Sequence, residues 1–109
     1  MIIYLACPYW HEDKKIRRSR FQSANIAAAE LMEDGYVVFS PLSHSVPISK
    51  YTGDQDHNFW MRQDLPMLEL CDEMWILPFD GWKESEGVSR EIKHAVEYGI
   101  PVVMCRGWK

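Results

Sequence analysis

Four short apolar runs recur along this chain, each parted from the next by a longer segment of helical pattern, and that alternation leaves few folds open. Ile2-Ile3-Tyr4-Leu5-Ala6-Cys7 is nearly continuous in apolar character, the mark of a strand covered on both faces. Val37-Val38-Phe39, Glu73-Met74-Trp75-Ile76-Leu77 and Pro101-Val102-Val103-Met104-Cys105 follow at intervals long enough to hold a crossover helix. The alternation predicts an α/β domain of three α/β/α layers, flavodoxin-like (Rossmann-like), around a four- to five-stranded parallel sheet.

The intervening segments carry the helices. Ile16, Phe21, Ala24, Ala27, Ala28, Leu31 and Met32 recur near helical spacing from about Lys14, and Asp34-Gly35 supplies a stop. A second helix is expected around residues 56–70, with Phe59, Trp60, Leu65, Leu68 and Leu70 to pack and Pro66 placed to break or kink it. A third runs over 86–98 through Val88, Ile92, Ala95 and Val96 and stops at Gly99. Residues 41–56, rich in Ser, Pro, Gly and Asp and without periodicity, read as a long loop of the kind that is functional or mobile. The loops after the first three strands then share one edge of the sheet, where ligands bind in this architecture.

Composition narrows the function classes. A chain of 109 residues is the size of one domain, taken as residues 1–109, and 47% hydrophobic with 26% charged residues is the balance of a folded protein. A formal charge of -4 argues against polymeric nucleic acid as partner and leaves small molecules. Cys7, Cys71 and Cys105 are far apart and form no CxxC pair, which fits buried thiols in a reducing cytoplasm. No run approaches the roughly 20 apolar residues of a membrane span, so a cytoplasmic protein without membrane contact is expected. His11, His44, His57 and His94 lack metal-ligand spacing, so no metal is expected. The first loop, Ala6-Cys7-Pro8-Tyr9-Trp10, has no glycine; with GxGxxG absent, no cofactor is expected.

The stretch Ser85-Glu86-Gly87-Val88-Ser89-Arg90-Glu91 forms the strand-to-helix corner after the third strand. Ser85 is placed to cap the helix, Gly87 to let a ligand approach the backbone, and the helix N-terminus to favour an anion. Glu91 and Asp64 form a candidate pair: carboxylates brought together in a desolvated cleft drive their pKa values apart, so one serves as nucleophile and the other as acid. By spacing alone both also fit solvated helix surface, where most acidic residues lie. Lys14, Lys15, Arg17, Arg18 and Arg20 oppose the dipole of the first helix, a cost that either a bound phosphate or plain solvation would relieve. His44, in Ser40-Pro41-Leu42-Ser43-His44-Ser45, is placed to bind a sugar hydroxyl or shuttle a proton. Pro8, Tyr9 and Trp10 of the first loop and Asp80 and Trp82 of the third line the same edge, with aromatics suited to stacking on a base or simply to packing. Tyr4 reads as core-facing unless its hydroxyl reaches the cleft.

Ile3-Tyr4-Leu5-Ala6, Asp64 eight residues before Asp72, and Ser85-x-Gly87-Val88-x-x-Glu91, in that order, resemble the nucleoside 2-deoxyribosyltransferase superfamily. The likeness is nearest its 2′-deoxynucleoside 5′-phosphate N-hydrolase branch, and within that a small uncharacterised bacterial and phage subfamily sharing the Ser-Pro-Leu-Ser-His-Ser segment. The resemblance implies an N-glycosidase acting on a (deoxy)nucleoside or its monophosphate, with Glu91 as nucleophile, Asp64 as acid-base partner, Tyr4 steadying Glu91, and Ser85 and Gly87 taking a phosphate or polar edge. Transferases of this superfamily usually carry an aspartate where this chain has Ser85, which points to water as acceptor. Against that, Pro8-Tyr9-Trp10-His11 lacks the Gly/Ser-rich phosphate loop of the hydrolases. Members commonly complete the site from a neighbouring subunit, so a homodimer or larger is implied. Base exchange by a transferase and a non-catalytic nucleotide sensor are the alternatives.

Overall fold

The computed structural model describes residues 1–105. Its elements are β1 (Ile2–Ala6), α1 (Lys14–Glu33), β2 (Val37–Phe39), α2 (Pro41–Thr52), α3 (His57–Glu69), β3 (Glu73–Ile76), α4 (Glu86–Glu97) and β4 (Val102–Met104). The four strands form one parallel sheet in the order β2-β1-β3-β4. This is the three-layer, flavodoxin-like arrangement the alternation predicts. Because the chain moves outward from β1 to β2 and then crosses back to β3, the order reverses between β1 and β3. Their carboxyl ends open the crevice where ligands bind in such sheets.

Alternation along β1 builds both cores. Leu5 and Cys7 face one side, where they meet Leu77 and the small residues Ala24, Ala27 and Ala28 of α1, which let that helix approach closely. Tyr4 and Ala6 face the other, against Met74 and Ile76 of β3, Leu68 of α3, and Val88 and Ala95 of α4. Each fully buried Leu or Met is worth about 1.5–3 kcal/mol, so the two layers together carry the fold. The pairing of β1 with β3 is pinned at its start by Asp72, whose carboxylate accepts the Ile2 N–H at 2.6 Å while its own N–H donates to Ile2 O at 2.8 Å.

Helix starts follow their caps. Asp13, Asp56 and Ser85 accept backbone N–H groups of the first turns of α1, α3 and α4. Gly35, at φ 98°, ends α1 with its N–H on Met32 O and that of Tyr36 on Leu31 O. One expectation is overturned: residues 41–56 are not a loop, because α2 occupies Pro41–Thr52. Pro41 sits at the first position, where its missing N–H costs nothing, and Pro41 and Ser45 are buried. Pro47 lies inside α2 and Pro66 inside α3, and neither ends its helix. Packing of the buried face outweighs the one hydrogen bond each removes.

Candidate active site

Two helices bury a carboxylate in the middle of an apolar stripe. On α3 the buried residues are Met61, Asp64 and Leu68; on α4 they are Val88, Glu91 and Ala95. Both sets follow the same i, i+3, i+7 spacing, so each carboxylate points with the apolar residues into the core. Asp64 is 6% exposed and Glu91 5% exposed, which removes the reading of either as solvated surface.

From the sheet, Tyr4 reaches the same point. Its hydroxyl donates to Glu91 Oε2, and its ring packs 5.8 Å from that of Phe39. Burial pushes the Glu91 carboxyl up to about 8; Asp64 adds to the rise, and the Tyr4 hydrogen bond opposes it. Burial also pushes Asp64 up to about 6. The Tyr4 hydroxyl is driven well above its ordinary value by burial and by both carboxylates, so it stays a proton donor. Asp64 Oδ1 has no hydrogen-bond partner among the described residues. An unpaired buried carboxyl oxygen beside a second carboxyl is costly to the fold and suited to exchanging a proton with something that enters.

The remaining expected site residues divide. Ser85 Oγ accepts the Val88 N–H at 3.2 Å, so the hydroxyl is engaged as the α4 cap. Gly87 has no positive φ, and a Cβ there would meet Ser85, His57 and Met61 at 3.9–4.0 Å, ordinary contact. The backbone of this protein therefore does not require glycine at 87. Pro8 is fully buried at the end of β1, and Trp82 is half-buried against the Tyr4 side of the core. Tyr9 is half-buried and Asp80 exposed. His44 lies on α2 rather than on a loop, with its ring 6.1 Å from Phe39. It faces Phe59 and Trp60 of α3 across a cavity of about 190 Å³, which neither carboxylate lines.

The basic cluster at the start of α1 is partly spent on the main chain. Arg17 donates to the carbonyls of His11 and Glu12 and lies over the Trp10 ring. Arg20 donates to the carbonyls of Tyr9, Trp10 and Asp80. Two participants escaped sequence reasoning. Phe39 links His44 to Tyr4, and nothing marked it beyond its place at the end of a strand. Gly81, at φ 89°, lies where a Cβ would come within 2.9 Å of Arg20 Nη2, and the Asp80-Gly81 dipeptide was the available signal. The three thiols are free and buried, and burial raises the pKa of each.

No curated protein matches the chain. Among solved structures it is similar to a 2-deoxyribosyltransferase from the psychrotolerant bacterium Bacillus psychrosaccharolyticus, with a TM-score of 0.66 at 22% identity, over 95% of this chain and 71% of that one. At that identity the likeness establishes the shared fold. A family model matches residues 1–106, nearly the whole length, and by that match the chain belongs to the family described as Domain of unknown function (DUF1937).

Proposed function

We propose that the chain cleaves the N-glycosidic bond of a (deoxy)nucleoside or nucleoside 5′-monophosphate, with Glu91 as nucleophile and Asp64 as acid-base partner. The observation that carries this reading is the buried hydrogen bond of Tyr4 to Glu91 with a second buried carboxyl, Asp64, near enough to raise the pKa of both. The one proton the pair holds near neutral pH rests on Glu91 and must pass to Asp64 before reaction. Tyr4 then holds the ionised Glu91 by Oε2, leaving Oε1 to attack the anomeric carbon. The carbon–oxygen bond forms as the carbon–nitrogen bond breaks; the bonding pair leaves on the base, and Asp64 supplies the proton that neutralises it. Water then attacks the same carbon, Asp64 takes its proton, and Glu91 departs as carboxylate.

Ser85, standing where the resembled transferases carry an aspartate, supports water over a second base as acceptor, as in the N-hydrolase branch. The fold shared with a 2-deoxyribosyltransferase supports a nucleoside substrate. Pro8, Tyr9, His44, Asp80, Trp82, Ser85 and Gly87 form the proposed binding wall. Glu91 is covered in this state, so a substrate enters as that wall gives way. A sensor that binds without turnover would have no use for two carboxylates buried at an energetic cost, and it stands below both enzymatic readings. The same reading makes the protein a cytoplasmic homodimer or larger, which sedimentation of the purified protein tests.

Chromatography of a panel of nucleosides and 5′-monophosphates after incubation tests the reaction, with free base as the product. Glu91→Gln should abolish base release while the circular dichroism spectrum stays unchanged; undiminished turnover in that variant overturns the assignment. Adding a second free base separates hydrolysis from transfer, since only transfer yields the exchanged nucleoside.

A further inference from the structure

The crevice between the ends of β1 and β3 is bordered by two loops, residues 7–13 and 77–85, that belong to different crossovers and share no ladder hydrogen bond beyond those of the strands. Cys7 and Leu77 meet at their buried roots, and one further side chain bonds to both loops. Arg20 lies on the second turn of α1, and its guanidinium donates from Nη1 to Trp10 O at 3.0 Å and Tyr9 O at 3.4 Å, and from Nη2 to Asp80 O at 2.8 Å. The planar fork of an arginine suits this task, because its donors point in fixed directions toward both loops at once. Gly81 completes the fit: its φ of 89° turns the chain so that Asp80 O faces the guanidinium, and the space its Cβ would fill is taken by Nη2. Arg20 makes no hydrogen bond to Tyr4, Asp64 or Glu91; its partners are the carbonyls of the two loops.

We propose that Arg20 is a positioning residue of the cleft: it clasps the loop bearing Tyr9 and Trp10 to the loop bearing Asp80 and Trp82, so that the two rims act as one wall against which a substrate is seated. The size of its kinetic effect rests on the reading of Glu91 as nucleophile, whereas the clasp does not. Without it, the loops stay anchored where Cys7, Leu77, Phe79 and Trp82 pack on the cores, but no side-chain hydrogen bond ties one rim to the other, and the rim aromatics lose their mutual spacing. A wall that is no longer preorganised must be ordered by the substrate as it binds, so the loss falls on KM more than on kcat.

The test compares the wild type with Arg20→Met, Arg20→Lys and Gly81→Ala by amide hydrogen exchange and by base-release kinetics. In Arg20→Met, exchange should accelerate in residues 9–12 and 79–84 while α3 and β4 keep their protection, and KM should rise about tenfold or more with kcat and its pH profile changed less. Gly81→Ala should loosen the same two loops, because a methyl group displaces the guanidinium. Arg20→Lys, which keeps the charge but reaches one loop at a time, should restore part of the KM and only one loop's protection. Acceleration spread evenly over the whole sheet would reduce Arg20 to a general stabiliser and overturn the proposal, as would loosened loops with an unchanged KM. Should the wild type release no base from any nucleoside or nucleotide, the catalytic reading falls, and the exchange pattern alone then upholds or overturns the clasp.

Discussion

The two faces of the sheet are built from the same strands and differ in what they bury. Toward α1 the layer is sealed: Leu5, Cys7, Leu77 and three alanines, with only neutral thiols among them. Toward α3 and α4 an equally apolar layer encloses Tyr4, Asp64 and Glu91. A folded chain gains nothing from burying two carboxylates there. Each must be held neutral or ionised without water, and each departs from its ordinary pKa for that reason. One face is explained by packing alone, and the other carries the groups that the proposed chemistry would use.

The largest expected effect breaks that comparison at its centre. Glu91→Gln should lower base release by about a thousandfold or more, in line with loss of a nucleophile. The same variant should be more stable than the wild type, and the sign follows from the raised pKa. Between its usual 4.5 and about 8, Glu91 is protonated in the folded chain and ionised in the unfolded one. The folded state therefore binds the extra proton, and stability falls as pH rises through that window. Glu91→Gln removes this loss, so its gain, measured by thermal denaturation at pH 5 and pH 9, should be small at the first and reach on the order of a few kcal/mol at the second.

On the sealed face, Leu5→Ala should cost about 2–5 kcal/mol of stability through the cavity it leaves, while kcat per folded molecule stays near the wild-type value. Denaturant titration with kinetics on the same samples checks both. Tyr4→Phe keeps the packing and deletes the bond to Glu91, so stability should fall by about 1–3 kcal/mol at neutral pH and activity by about ten- to a hundredfold. An equal loss of activity in the Leu5 and Tyr4 variants would erase the distinction between the faces. The pH profile of kcat/KM sharpens it: with Asp64 raised to about 6 and Glu91 to about 8, the pair holds one proton between those values. The rate should be bell-shaped across that interval, and Asp64→Asn should remove one limb. Gly87→Ala is the smallest change. The added methyl finds ordinary contacts and a better helix former, so stability should rise by at most about 1 kcal/mol. Any loss of activity beyond that would mark close approach of substrate to the backbone at 87.

Much of this was legible before the fold. Apolar runs at Ile2–Cys7 and Glu73–Leu77, each followed by helical spacing, pointed to parallel strands with crossovers, because parallel pairing needs connections of that length and strands covered by helices on both faces are apolar throughout. Ser85 could be read as a cap from its place before Val88. Residues 41–52 could not be read, since Ser and Pro disfavour a helix by local propensity and only the buried contacts of Pro41 and Ser45 reverse that balance.

The site divides in the same way. Along the chain, Asp64 and Glu91 each stand where apolar neighbours recur at i−3 and i+4, which orients them but says nothing of what lies opposite. Their meeting with Tyr4 depends on α3 and α4 packing on one face of β1, a contact between residues as many as 87 positions apart. Arg20 depends on the fold more completely still. In sequence it is one of five cations on the first turns of a helix; in space it joins two loops, because a guanidinium is long and forked enough to find carbonyls that only the parallel sheet brings side by side. Periodicity determined which residues are inside. The crossing of the chain between β1 and β3 decided which of them face one another, because pKa shifts, hydrogen bonds and steric fit fall off over a few ångströms and have no counterpart in sequence distance.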